Sequence, residues 1–377
     1  MPGDPTATVG TSLAEAMASQ SPRVLVIGAG LIGCSTAYYL AHEGVAVTLV
    51  DRDADPSPTS RASLGVLAHA YGGNDALSCF YRDSYALHEP LATQLLSETG
   101  IDVGLQLLGG LDLAFDEDDV SRLQQLIEFN LDRGAEAHWL DVASLRVAEP
   151  DVSPAALGGA LFPQDARVDP ARLVEALTLA AGARGAILRR STRVTSTTLA
   201  DGAVACELTD TSGVRVEHYD AAVITTGAWA QELAPHVSVR PVRGQSGRYS
   251  GVRTQHVVRW GGHHALPDGS DLLVGATVEE VGFDLSTTDR AATQLTAWGC
   301  RVFSRPLSLV DLQAGLRPKP RRGRAVIAPL HGGGPLFVAT GHYKSGILMG
   351  PLTGQVMARW IIEGSPGRDM SPFTIAR

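Results

Sequence analysis

Apolar and polar positions along this chain repeat with two different periods, and the places where the period changes mark its elements. Residues 24–27 form a short unbroken apolar run, which predicts a buried strand. Positions 31–43 carry helical spacing that stops at Gly44, and 45–50 return to an apolar run closed by Asp51. A long amphipathic pattern over 74–98, which Asn74 or Asp75 can cap, and another over 117–133, ending at Gly134, predict two helices. Asp169 as N-cap and Pro170 at the first helical position open a helix over 171–183. Strand-like runs follow at 186–190, 203–209 and 214–218, then a buried strand at 221–225 that runs towards Gly227. From about 236 to 315 the alternation is that of strands, as in VVRWGGHHALP and DLLVGATV, and suits an antiparallel sheet covered on one face. Residues 336–340 are an apolar strand, GHYKSG a turn, and 347–362 a helix. No repeat of 20–50 residues is present.

Composition narrows the class. With 377 residues, 44% of them apolar and 19% charged, the chain has the length for one large domain or two modest ones. A net charge of −9 and the lack of a dense basic run speak against a nucleic-acid partner. Cys34, Cys79, Cys206 and Cys300 are scattered, without a CxxC pair, which argues for reduced thiols and against a zinc site. His263 and His264 are adjacent, so on a strand they face opposite sides, and no metal site is expected. The first 22 residues hold no Lys or Arg and no apolar core, so they read as a loose extension rather than a signal peptide. The uncharged run 24–41 is interrupted by glycines, so a membrane span is not expected and the default location is the cytoplasm.

The first unit carries chemistry. Gly28, Gly30 and Gly33 fit GxGxxG between a strand and a helix, and Asp51 ends the next strand. Gly28 permits the tight turn, Gly30 lets the backbone approach a pyrophosphate, and Gly33 lets the helix pack on the strand. The helix N-terminus offers free N–H groups to the phosphates. Asp51 suits ribose hydroxyls and would repel a 2′-phosphate, which disfavours NADP. After Asp51 comes DADPSPTSRASLGVLAHAYGG instead of the alternating elements of an NAD dehydrogenase. Thr59, Ser60 and Ser63 offer hydroxyls to a second phosphate or a ribitol, and 64–67 can run under a flat ring; a surface loop is the other way to read this stretch.

The blocks VIGAGLIGCSTAYYLA, TSRASLGVLA, VDPARLVEAL, AAVITTGAW, LLVGATVEEVGFD, AGLRPKPRRGRAVIAP and GHYKSGILMGPLTG occur in this order from Arg23 onward. Together they resemble the glycine oxidase and D-amino acid oxidase (DAO) family of FAD-dependent oxidoreductases. The resemblance implies an α/β (α+β overall) fold: a Rossmann-like FAD-binding domain from 23–73, 150–235 and 316–377, and a substrate domain on an antiparallel sheet from 74–149 and 236–315. Residues 1–22 remain an extension. It implies non-covalent FAD, because the cysteine that carries flavin in sarcosine oxidase-like relatives follows the GLRP-type region and none of the four cysteines lies there. Leu31, Ile32, Arg52, Leu64, Gly65, Val66, Val194 and Gly227 join the glycines, Asp51, Thr59 and Ser60 as cofactor contacts. The turn at 342–348 (His342, Tyr343, Lys344, Ser345, Gly346, Ile347, Leu348) is placed along the isoalloxazine, where a helix dipole stabilises charge on the reduced ring.

Arg317 occupies the arginine of the GLRP motif, which in the family pairs bidentately with the substrate carboxylate; a planar guanidinium matches two carboxylate oxygens. Arg321, Arg322 and Arg324 beside it read as solvated surface charge. Two positions depart from the family pattern. Lys344 and Ser345 stand where arginine and asparagine are usual, and His264 where a tyrosine is. Lys319 and Lys344 are the only lysines among 31 Lys and Arg residues. The departures predict a substrate other than simple glycine. The implied reaction oxidises the C–N bond of an amino acid or related amine to an imine by hydride transfer to flavin N5. O₂ serves as acceptor and H₂O₂ is the product. His264 assists amine deprotonation or only walls the pocket; Lys344 stabilises developing superoxide. A dehydrogenase feeding a quinone or carrier, a tailoring oxidase for a larger amine, and a flavin-binding scaffold stay open, as does a homo-oligomer.

Overall fold

The computed structural model describes residues 21–55, 58–68, 73–331 and 334–375. Most of the expected N-terminal extension and residues 56–57 and 69–72 of the stretch that follows Asp51 lie outside that range. The helices, in chain order, are α1 (Leu31–His42), α2 (Pro58–Arg61), α3 (Ala76–Thr99), α4 (Glu117–Leu131), α5 (Val142–Ala148), α6 (Pro170–Ala183), α7 (Asp289–Val302) and α8 (Gly346–Glu363).

One sheet has six strands, ordered Val326–Pro329, Leu336–Thr340, Ala221–Ile224, Arg23–Ile27, Ala46–Val50 and Ile187–Arg189. All pairs are parallel except the edge strand Val326–Pro329. Its apolar runs are buried on both faces, as parallel strands require. Val24, Val26, Val47 and Val223 point into a core shared with α1, α6 and α8, while Leu25, Ile27, Ala222 and Ile224 point into a core closed by the antiparallel strands Arg193–Ala200, Ala203–Asp210 and Gly213–Tyr219. The period of two in one short run thus serves two layers.

The second large sheet has eight strands, ordered Ser308–Pro320, Val239–Ser250, Asp271–Gly275, His263–Asp268, Val257–Trp260, Gly110–Ala114, Gly158–Phe162 and His138–Leu140. It is antiparallel but for the pairing of Val257–Trp260 with Gly110–Ala114. One face packs on α7 through Leu295, Trp298 and Val302. The opposite face carries small and polar residues in register, with Ser246 opposite Gly275 and Gly244 opposite Gly315.

Two features differ from the sequence pattern. Helix α7 interrupts the stretch from 236 to 315 that reads as strands; Thr288 caps it, and Ala291, Leu295, Trp298 and Val302 form its buried stripe. The Ser308–Pro320 strand runs unbroken across position 316, and Gly158–Phe162, from within 150–235, belongs to the eight-stranded sheet.

Candidate active site

A long cleft runs from the carboxyl ends of the parallel strands to the small-residue face of the second sheet. At its nucleotide end the first glycine turn is held tightly. Gly28 has φ +105°, and a Cβ there would meet the Thr225 carbonyl oxygen at 2.9 Å. The Thr225 hydroxyl bonds the carbonyl oxygens of Ile27 and Gly28 at 2.8 and 2.9 Å. A Cβ on Gly33 would sit 1.8 Å from the Gly28 oxygen, so this glycine serves helix packing; it does not line the cleft. Gly30, Leu31 and Ile32 do. Asp51 accepts from the Ala29 amide at 2.6 Å, which ties the end of the second strand to the glycine turn, and burial raises its carboxyl pKa. Arg52 stacks its guanidinium 4.1 Å from the centroid of the Trp229 ring, whose other neighbour is Phe283 at 5.4 Å. Trp229 lines the cleft with Val194 and Gly227 and escaped the sequence reading, although AAVITTGAW ends on it.

Along the middle run Thr59, Ser60, Leu64, Gly65 and Val66. The Thr59 hydroxyl is engaged elsewhere than expected: it donates to the Leu316 carbonyl at 3.2 Å and accepts from the Leu316 amide at 3.1 Å. It therefore fastens α2 to the Ser308–Pro320 strand beside Arg317, leaving Ser60 and Ser63 as the lining hydroxyls of this stretch.

The second strand–turn–helix unit closes the far wall. Gly341 has φ +78° and Tyr343 φ +51°, a left-handed backbone uncommon outside glycine. Tyr343, Lys344, Gly346 and Ile347 line the cleft; so does His342, although its ring is buried with Nε2 3.1 Å from the Thr353 hydroxyl. Burial pushes the His342 pKa down to about 4. Ser345 and Leu348 do not line it. Ser345 is the N-cap of α8, and Leu348 points into the core while its carbonyl accepts from Nε2 of the buried His88 at 3.0 Å. Neither α1 nor α8 has a side-chain cap, so both present unpaired first-turn amides towards the cleft. Such termini suit a diphosphate at α1 and a ring that gains negative charge at α8, and the residues present fit FAD.

At the substrate end, Arg317, His264 and Lys344 come together. The Arg317 guanidinium lies flat over Gly244, where a Cβ would sit 2.2 Å from its Cζ and both Nη atoms. No signal in the sequence marks Gly244 for this task, because the contact joins strands far apart in the chain. Arg317 donates to the Thr277 carbonyl at 3.0 Å and, among the described residues, pairs with no carboxylate. Other guanidiniums of the same sheet differ: Arg243 is held by Glu279 and Asp284, and Arg259 by Asp112 and Asp165. Burial lowers the Arg317 pKa, and it remains a cation. His264 corrects an expectation. Burial, then the Arg259, Lys344 and other cationic charges nearby, pull its pKa down to about 3, so it is neutral near pH 7 and a weak base, not a group titrating near neutrality. His263 turns to the other face, against Trp298 and Gln294, and among the described residues no cluster fit for a metal occurs. None of the four cysteines lines the cleft, and Arg321, Arg322 and Arg324 are exposed.

Uncapped helix termini over a glycine turn, joined to a pocket lined by Arg317 and Lys344, fit a flavin-dependent oxidoreductase. Residues 23–360 match the model of the DAO family, FAD dependent oxidoreductase, and the chain belongs to that family. It is similar to glycine oxidase from Geobacillus kaustophilus, at 29% identity over 94% of this chain and 96% of that protein. The crystal structure of glycine oxidase from Geobacillus kaustophilus superposes with a TM-score of 0.87 at 28% identity, covering 95% of this chain and 99% of the other. Hydrogen cyanide synthase subunit HcnC of Pseudomonas aeruginosa is 28% identical over 94% of this chain and 95% of its own. The iminodiacetate oxidase of a Chelativorans species superposes with a TM-score of 0.82 at 25% identity, covering 94% and 99%. Among the described residues no helix is long and apolar enough to cross a membrane.

Proposed function

We propose that this FAD-dependent enzyme oxidises the C–N bond of an amino acid or related small amine, with O₂ as acceptor and H₂O₂ as product, in the cytoplasm. The observation that carries the proposal is Arg317: a partly buried guanidinium, backed by Gly244 and the Thr277 carbonyl, that lacks an acidic partner among the described residues and faces the same space as His264 and Lys344. A substrate carboxylate completes it, in two parallel N–H···O bonds. Bound FAD supplies the acceptor for the hydride leaving the carbon next to the amine. The chain's own contribution is placement, since an anchored carboxylate holds that carbon at a fixed position, and orientation of this kind is worth roughly 7–11 kcal/mol at best. His264, neutral and beside the anchor, accepts or donates a hydrogen bond to the amine without competing for the carboxylate as a cation. Relatives named glycine oxidase and iminodiacetate oxidase act on amines that bear a carboxylate next to the amine carbon, which supports the same class here.

The test is a panel of amino acids and secondary amines with peroxide detection, followed by Arg317→Met. Loss of the carboxylate partner should lower kcat/KM by about 30- to 1000-fold, the equivalent of roughly 2–5 kcal/mol, while FAD stays bound. A variant that keeps its kcat/KM would reject Arg317 as the anchor. One relative is a subunit of a larger synthase, so electron delivery to a carrier is the second reading. Substrate bleaching of the flavin in air without peroxide would favour it.

A further inference from the structure

Charge at the substrate end of the cleft is not balanced. The acidic residues lining the cleft, Asp51, Asp53 and Glu232, all lie at its nucleotide end. At the other end Arg317 and Lys344 have no carboxylate among the described residues. Lys344 Nζ lies 5.8 Å from the centroid of the Tyr343 ring, and Lys319 Nζ lies 5.6 Å from the same centroid. The chain's only two lysines thus both lie near one aromatic ring, Tyr343, which lines the cleft. Lys319 has Glu280 at 3.8 Å, but Arg240 holds that carboxylate more closely, at 2.8 Å. Repulsion from Arg317 and Lys319 adds to burial in lowering the Lys344 pKa, so these charges sense one another.

A monocarboxylate with a neutral amine would neutralise Arg317 and leave Lys344, which lines the cleft but is exposed to solvent, open to a second anion. Charge developing on a reduced flavin is a poor explanation for the lysine, because the uncapped N-terminus of α8 already supplies positive potential there. Resting on the amine-oxidation reading above, we propose that the substrate is an amine carrying two carboxylates, one seated on Arg317 and the second on Lys344, with Lys319 adding to the attraction at the rim. An ammonium on a flexible stem suits this second site, since it can follow a carboxylate whose distance from the first varies.

Pairs of compounds that differ only by a methyl in place of a carboxylate test this on the purified holoenzyme. N-ethylglycine against iminodiacetate and 2-aminobutyrate against aspartate, both enantiomers, read turnover. Butyrate against succinate, which cannot be oxidised at nitrogen, reads binding through perturbation of the flavin absorption spectrum. The diacid should win by about tenfold or more in kcat/KM in at least one amine pair, and succinate should perturb the spectrum at about tenfold lower concentration than butyrate. In Lys344→Met both ratios should collapse towards one, and Lys344→Arg should restore them. Equal binding of succinate and butyrate, with monocarboxylic amines oxidised as well as diacids, overturns the two-anion site and leaves amine oxidation standing. Tighter succinate binding that depends on Lys344, with no amine oxidised, upholds the site and overturns amine oxidation instead.

Discussion

Two groups of helices in this molecule begin in opposite ways. Helices α3, α4, α5, α6 and α7 open on Asp75, Asp116, Asp141, Asp169 and Thr288, each of which accepts hydrogen bonds from its own first turn. Helices α1 and α8 open on Gly30 and Ser345, neither of which caps anything, and neither helix has an acid in its first turn. A side-chain cap contributes about 1 kcal/mol, so leaving it out twice is a cost to the free protein. Both uncapped termini face the cleft. The capped helices satisfy their own amides; the uncapped ones reserve theirs for a cofactor that brings a diphosphate and a reducible ring. Local stability and cofactor binding compete for the same N–H groups, and at these two sites binding has won.

That contrast can be broken from either side. The largest effect is expected for Gly30→Asp, which caps α1 but sets a carboxylate where the diphosphate belongs. An uncompensated like charge in a desolvated site costs on the order of 3 kcal/mol, about 100-fold in FAD affinity, so the protein should purify without flavin absorbance. A yellow Gly30→Asp protein would contradict the assignment.

A smaller effect concerns how α8 is held from its flanks. His88 bonds the Leu348 carbonyl and His342 the Thr353 hydroxyl, and burial holds both rings at a pKa of about 4 against an ordinary 6.5. Between those values the unfolded chain binds protons that the folded one refuses, so stability falls as pH drops below about 6.5. From pH 6 to pH 5 the loss should be on the order of 2 kcal/mol for the pair, at about 1.4 kcal/mol per proton and pH unit. Denaturant midpoints across that range check it, and the double variant His88→Gln with His342→Gln should show a flatter profile.

The smallest effect is expected at a capped helix. Asp169→Ala removes two bonds to the first turn of α6 and should lower stability by about 1 kcal/mol in denaturant titrations, with FAD affinity unchanged within about twofold. A marked loss of FAD affinity here would erase the distinction between the two groups of helices.

Much of this was legible in the sequence because it is written locally. The first βαβ unit, the Asp169–Pro170 helix start and the Leu336–Thr340 strand with its glycine turn rest on neighbouring residues, and the structure has them within a residue or two. What was not legible depends on partners distant in the chain. Gly244 under Arg317, the Thr59 hydroxyl fastened to Leu316, and the burial and nearby cations that keep His264 neutral all arise from segments brought together only by folding. Helix α7 is the exception: Thr288 and the spacing of Leu295, Trp298 and Val302 were local signals, masked by the strand-like runs on either side.

Hydrogen exchange of backbone amides, with and without FAD, tests the central claim most directly. Adding FAD to the apoprotein should protect the first-turn amides of α1 and α8 strongly and leave those of α4, α5 and α7 almost unchanged. Uniform protection of all these termini, or none at α1 and α8, would contradict the account.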